Sequence, residues 1–255
     1  ASDVYKRQKD CWSDMGEAGI NKTAKLVTSE EMRLLEDRAS QQGIDNAILM
    51  ETAGLEIALA VSREIGFLRQ IPILILVGPG NNGLDGLIAG THLSSLGAKV
   101  TAALLSERIS TDTIMTKADQ SGVSILSLSS RNGDEGLCLL GDEIKKSIVI
   151  VDAIFGIGMN RPIVGYLSKV LATVNEKKRK DSLIFAVDSP TGLFIDSGGI
   201  DKSFLAPDIT LALGFLKIGH VTQPGASRIG RLQLLDIGIP TDIESSVRTL
   251  SLIHI

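Results

Sequence analysis

The sequence predicts an α/β fold, a mostly parallel sheet covered by helices on both faces. Three observations carry that prediction. The runs Ile73 to Val77, Ile148 to Val151 and Leu183 to Val187 are continuously apolar, as strands buried on both sides are. Such runs alternate along the chain with segments of helical periodicity. Each run stops at a turn that contains glycine and an acidic or amide side chain.

The elements follow in order. Thr28 and Glu31 form a capping-box pattern ahead of the apolar-periodic segment Met32 to Ala39, which Gly43 ends. A second helix is expected from about Asp45 to Glu64, with Ile48, Leu49, Ala53, Ile57, Leu59 and Ala60 as its apolar stripe. Strand Ile73 to Val77 runs into a glycine turn, and a helix is expected from Asp85 to Leu96 with Gly97 as its stop. Strand Val100 to Leu104, a helix from about Asp112 to Gln120 and strand Val123 to Leu126 come next. Ser129 to Ser147 reads as a loop carrying Arg131-Asn-Gly-Asp, then a helix. Ile148 to Val151 ends at Asp152, and a glycine-rich loop leads to a helix at about Leu167 to Lys178. Leu183 to Val187 ends at Asp188, and strands Ile209 to Leu213 and Leu232 to Leu235 complete the set. There is no internal repeat and no low-complexity linker, so one domain is expected, over residues 26–245.

Composition narrows the function classes. The chain has 255 residues, 44% hydrophobic and 22% charged, which supports a sizeable core. A net charge of −4 gives no basic footprint of the kind that nucleic-acid binding leaves. No apolar run approaches the roughly 20 residues that cross a bilayer. The polar first thirty residues do not read as a secretory signal. Cys11 and Cys138 follow no metal or redox spacing, and two such thiols point to a reducing, cytoplasmic setting. His92, His220 and His254 show no ligand spacing. The stretches 1–25 and 246–255 share no periodicity with their neighbours and read as non-domain or foreign ends.

In a doubly wound sheet, ligands sit outside the carboxyl ends of the strands. Three turns should therefore open on one rim: Gly78-Pro-Gly-Asn-Asn-Gly-Leu-Asp85, Asp152-Ala-Ile-Phe-Gly-Ile-Gly-Met-Asn-Arg-Pro162 and Asp188-Ser-Pro-Thr-Gly192. Gly78, Gly80 and Gly83 spell G-x-G-x-x-G, which lets backbone N–H groups approach phosphate at a helix start. Asn81, Asn82 and Asp85 are not what an ordinary dinucleotide fingerprint carries. A single aspartate closing a strand is usually a turn or cap residue. Three such turns converging on one rim define a candidate site.

These three segments, in this order, resemble the NAD(P)H-hydrate epimerase family, also called the YjeF N-terminal domain. Met50-Glu-Thr-Ala-Gly54 resembles its M-E-N-A-G segment, Ala206 to Gly219 its A-D-x-T-V-T-F-G-x-x-K-x-G stretch, and Asp236-Ile-Gly-Ile-Pro240 its closing D-I-G-I-P. The resemblance implies a three-layer α/β/α Rossmann-like sandwich. It implies an isomerase that interconverts the R and S epimers of NADHX and NADPHX, the hydrates of damaged NADH and NADPH. It also implies a potassium ion, a homodimer, and a partner or fused ADP/ATP-dependent NAD(P)H-hydrate dehydratase. A stand-alone enzyme and an amputated half of a bifunctional one are equally compatible with this.

Residue by residue, the resemblance assigns substrate binding to Asn81, Asn82, Gly83, Leu84 and Asp85, to Gly156, Ile157, Gly158, Met159, Asn160, Arg161 and Pro162, and to Asp188. Asp188 is the candidate catalyst, since one carboxyl within hydrogen-bond reach can carry a proton to and from an oxygen. Asn82, Asp152 and Thr191 match the potassium ligands, and their oxygens suit a hard cation. The same three groups can instead satisfy each other. Arg161 can face a phosphate or stand as an exposed loop arginine. Lys217 reads as a solvated lysine. Leu84, Ile157 and Ser189 depart from the family's glycine, threonine and isoleucine; Leu84 either narrows the pocket or packs outward.

Two other functions compete. A dinucleotide-dependent dehydrogenase would use G-x-G-x-x-G with Glu107 as its ribose acid, yet leaves the Asn81-Asn82 pair and the two later loops without a role. A non-catalytic scaffold of the same fold, such as one that serves mRNA decapping, would not need Asn82, Asp152 and Asp188 together.

Overall fold

The computed structural model describes residues 25–106, 113–128, 133–240 and 243. Glu107, Asp112, Arg131, Cys11, His254 and, of the two suspected foreign ends, residues 1–24 and 246–255 lie outside the described residues.

Seven strands form the central sheet: β2 (Pro72–Val77), β3 (Lys99–Leu104), β4 (Ser124–Ser127), β5 (Val149–Ala153), β6 (Leu183–Val187), β9 (Ile209–Leu213) and β11 (Arg231–Leu235). Their order is β11-β9-β6-β5-β2-β3-β4, and every neighbouring pair is parallel. The chain runs outward from β2 to β4, then returns past β2 to β5 and builds in the other direction. The switch therefore falls between β2 and β5, and a crevice opens at their carboxyl ends.

The two faces of β2 show the layers. Ile73, Ile75 and Val77 pack with buried residues of α1 (Ser29–Gln41), α2 (Asn46–Ile65) and α3 (Asn81–Ser95). Leu74 and Leu76 point the other way, into a second core with Leu140 and Ile144 of α5 (Gly133–Lys146) and Val170, Leu171 and Val174 of α6 (Tyr166–Lys177). Ala118 of α4 (Thr113–Gln120) joins the first core. This is a three-layer α/β/α sandwich with a Rossmann-like strand order.

Local chemistry fixes the helix starts. The Thr28 hydroxyl accepts from the Glu31 N–H at 3.1 Å and the Glu31 carboxylate accepts from the Thr28 N–H at 2.8 Å, so the expected capping box is present. Asp45 caps α2 by accepting from the Ala47 N–H at 3.0 Å.

One boundary differs from the sequence expectation in a way that matters for the site. α3 starts at Asn81, with Gly80 as its cap, rather than at Asp85. The turn is shorter because Gly78 lies directly on the β5 loop: a Cβ there would sit 1.9 Å from the Ile154 carbonyl oxygen. The chain can turn at once, and Asn82 and Asp85 become neighbours one helical turn apart.

Periodicity missed the small elements, which are too short to show any. β1 (Leu26–Val27) pairs in parallel with β10 (Leu216–Lys217), placing Val27 opposite Lys217. β7 (Leu193–Phe194) and β8 (Gly199–Ile200) form a hairpin, and α7 (Ile218–Val221) is a single turn after β10.

The Met50-Glu-Thr-Ala-Gly54 segment lies on α2, where Gly54 lets that helix approach α3 closely. A Cβ at Gly54 would lie 2.4 Å from the Ile88 Cγ2 and 3.0 Å from the Ala89 nitrogen. Gly54→Ala is expected to destabilise the fold by roughly 1–3 kcal/mol through overpacking, measured by chemical denaturation. Unchanged stability would show that the two helices separate without cost.

Candidate active site

The crevice at the switch is a cleft of about 470 Å³. Its floor is the start of α3 and the loop after β5, and its walls come from α1, α2 and the ends of β6 and β9. Asn81, Asn82, Asp85, Gly156, Ile157, Gly158 and Asp188 all line it. So do Met32, Arg33 and Glu36 of α1, which the sequence did not single out.

Asp188 follows β6 in a left-handed backbone conformation, φ 61°, that non-glycine residues seldom adopt. Its N–H donates to the Leu211 carbonyl at 2.8 Å, which turns the chain beneath β9. The carboxylate is used unevenly. Oδ1 accepts from the Leu213 N–H at 3.3 Å and from the Lys217 ammonium in a close ion pair. Oδ2 faces Gly156 and Asn82: a Cβ on Gly156 would lie 2.9 Å from it and 3.1 Å from the Asn82 Oδ1. Glycine fits at 156 because the Asp188 and Asn82 side chains meet over it.

Lys217 corrects the sequence reading. It is fully buried rather than solvated. Its Nζ donates to Asp188 and, at 2.8 Å, to the Leu213 carbonyl. A buried lysine needs such a partner, and a lone K-x-G in sequence cannot show one. Behind it, His220 accepts from the Lys217 N–H through Nδ1 at 3.3 Å. Burial first, then the Lys217 charge, pushes the His220 imidazole down to about 3.

Asp152 is the penultimate residue of β5 and is completely buried. Its Oδ1 accepts from the Thr191 hydroxyl at 2.7 Å and its Oδ2 from the Thr191 N–H at 2.8 Å, with the Ile154 N–H at 3.3 Å from Oδ1. Desolvation nonetheless pushes this carboxyl up to about 6, against those hydrogen bonds. The Thr191 hydroxyl also accepts from the Phe155 N–H at 3.3 Å and so ties the second loop to the third. Asn82 is buried, and its side-chain nitrogen has no partner among the described residues. Asp85 is raised well above the ordinary carboxylate range by burial and then by the charges of Asp188 and Glu36. Glu36 is raised for the same reasons, burial before the Asp188 charge.

The remaining expected residues are placed as follows. Leu84 packs against the first core instead of narrowing the cleft. Met159 is buried, and its sulfur accepts from the Gly192 N–H at 3.3 Å. Asn160, Arg161 and Pro162 are exposed where the loop leaves the cleft. Among the described residues, no group of three or more His, Cys, Asp or Glu side chains is arranged to hold a metal ion. No helix among them is long and apolar enough to cross a membrane.

Fold and site together define a Rossmann-like α/β domain with a carboxylate-lined cleft at its switch point. Comparison with known proteins makes this specific. The family model for YjeF-related protein N-terminus matches residues 46–219, and the chain belongs to that family. It is 30% identical over 232 residues to a protein of Leuconostoc mesenteroides named NAD(P)H-hydrate epimerase, covering 88% of this chain and 96% of that one. It is 33% identical over 221 residues to a protein of Thermofilum pendens named bifunctional NAD(P)H-hydrate repair enzyme Nnr, covering 85% of this chain. The chain spans 40% of that relative and 41–42% of the next two bifunctional ones. Among solved structures, yeast ynu0, YNL200c, matches with a TM-score of 0.66 and 25% identity, over 82% of this chain and 87% of that one.

The His220 environment predicts a pH effect. Its folded value lies below the ordinary 6.5, so between pH 6.5 and about 3 the unfolded chain binds a proton that the folded chain refuses. Stability from this group falls as pH drops through that window. At pH 4.5 the loss should be roughly 2–3 kcal/mol relative to pH 7.5, and His220→Asn should lack that part of it. Denaturant midpoints at the two pH values test this. Identical pH dependence in both proteins would contradict it.

Proposed function

We propose that this domain is an isomerase that interconverts the R and S epimers of NADHX and NADPHX, with Asp188 as the group that moves the proton. The observation that carries the reading is the carboxylate of Asp188, one oxygen held by the protein and the other facing the cleft beside Asn82. Family membership and the relatives named as epimerases support it.

The reaction centre is carbon 6, which bears a hydroxyl next to a ring nitrogen. Hydroxyl loss and return, or ring opening and reclosure, both invert this centre without any change in oxidation state. Ring opening takes a proton from that oxygen and later returns it, and hydroxyl loss delivers one and later takes it back; one carboxyl group within reach can do either. The α3 start at Asn81 and Asn82 offers backbone N–H groups without intrahelical acceptors, suited to the pyrophosphate. Gly156 to Gly158 would close over it from the second loop, with Asn160, Arg161 and Pro162 at the open end. This arrangement leaves the altered ring toward Asp188 and the raised carboxyls of Asp85 and Glu36.

The donor set also fits a potassium ion. Asp152 is a buried carboxylate pushed up to about 6 with no cationic partner among the described residues. The Thr191 hydroxyl and the Asn82 amide offer the further oxygen donors that a hard cation takes. Bound there, the ion would neutralise Asp152 and order the loops that carry Asn82 and Thr191. Ile48 and Leu55 on the outer face of α2 are exposed apolar side chains, consistent with a homodimer. The same reading assigns the enzyme to a reducing, cytoplasmic compartment where NADH and NADPH are used. It gives it an NAD(P)H-hydrate dehydratase as the consumer of one epimer.

Two experiments test these assignments. Asp188→Asn keeps an acceptor for Lys217 and should fold, yet lose at least ~100-fold in epimer exchange followed by chromatography of NADHX. Near-normal turnover would sink the assignment. For the metal, thermal melting in potassium chloride should exceed that in tetramethylammonium chloride at equal ionic strength, by linkage of binding to folding. Asp152→Asn should erase the difference. Equal melting of the parent in both salts would remove potassium from the site.

A further inference from the structure

We propose that Lys217 is the positioning residue of this site, holding Asp188 Oδ1 so that Oδ2 alone performs the proton transfer. The inference rests on the epimerase reading and deepens it. Lys217 does not line the cleft. It is fully buried behind Asp188 and reaches the reaction only through that carboxylate.

Three contacts fix the lysine itself. Pairing of β10 with β1 sets Lys217 opposite Val27. The backbone N–H donates to His220 Nδ1, and the Nζ donates to the Leu213 carbonyl at 2.8 Å. The imidazole of His220, held far below its ordinary range by burial, adds no second positive charge beside the ammonium.

The consequence falls on the two carboxylate oxygens. Oδ1 accepts from both the Lys217 Nζ and the Leu213 N–H. Oδ2 has no such donor among the described residues and faces the space that Gly156 leaves open, next to the Asn82 side chain. Two donors on one oxygen fix the plane of the carboxylate, and the left-handed backbone at Asp188 aims it. A buried ion pair is weak evidence for stability, since an apolar pair of similar volume is often as good. Orientation of a reacting group is a use that an apolar pair cannot supply. In the ring-opening route, the substrate hydroxyl O–H bond breaks and its proton goes to Oδ2, while the oxygen's electron pair forms the carbon–oxygen double bond and the bond from carbon 6 to the ring nitrogen breaks, its pair passing to that nitrogen and the conjugated carboxamide. Reclosure of the nitrogen on the other face of the carbonyl re-forms that bond, and Oδ2 returns the proton to the oxygen.

The test uses Lys217→Met, which keeps length and removes the donor, and Lys217→Ala, which leaves room for a small ammonium ion. Epimer exchange is measured with and without ethylammonium chloride, and melting curves report the fold. The expected result is a kcat at least ~100-fold below the parent in Lys217→Met with KM unchanged, and a Lys217→Ala rate that rises with ethylammonium concentration. Parent-like kcat in a folded Lys217→Met protein would overturn the proposal. So would loss of kcat and KM together in both variants with no ethylammonium response, which is the pattern of a structural lysine. A parent that exchanges no epimers would overturn the epimerase reading, and this role with it.

Discussion

Buried carboxylates at the rim of the sheet are the constraint around which this domain is organised. An ionised carboxyl removed from water is costly unless something compensates it. Asp152, Asp188 and Asp85 are all buried within one region, and each meets a different answer. Asp188 receives a buried lysine. Asp152 receives a hydroxyl and two backbone N–H groups, and still sits near 6. Asp85 is raised by burial first and then by the like charges of Asp188 and Glu36, and is driven toward its neutral form. Three carboxyls of one chemical type thereby sit in three different environments within one region of the fold.

The fold supplies these answers through its least conspicuous parts. The parallel sheet and its switch between β2 and β5 bring the three turns to one rim. The two-residue pair β1·β10 does the rest. It fixes Lys217 beneath Asp188, and the strand at its other half leads directly into α1, which contributes Met32, Arg33 and Glu36 to the cleft wall. A second tie holds that helix: the Ser29 N–H and hydroxyl both donate to Asp196, 2.6 and 2.5 Å away, from the segment joining β7 to β8. The wall over the cleft and the partner of Asp188 therefore depend on the same edge of the molecule.

The long, strongly patterned features were legible in the sequence. The buried strands, the capped helices and the three polar turns follow from period, caps and glycine placement, and the strand ends at Asp152 and Asp188 are where the apolar runs stop. What escaped were relations between distant residues. Lys217 carries no local sign of burial, because its partner lies 29 residues away and only the fold joins them. Glu36 reads as one more acid on an amphipathic helix until α1 is laid over the cleft. The helix α3 starts at Asn81, four residues before the Asp85 that the sequence suggests, since asparagine and glycine read as turn formers. In the structure the turn ends at Gly80, which caps the helix.

The central claim is that the reacting oxygen of the hydrated nicotinamide ring meets Asp188 on its free side. A crystal structure of the Asp188→Asn protein soaked with NADHX tests it most directly. The ring should lie with its carbon-6 oxygen within hydrogen-bond distance of the side-chain atom that replaces Oδ2, and the pyrophosphate should lie at the start of α3. A ring bound at the far end of the cleft, or turned with that oxygen away from residue 188, would contradict it.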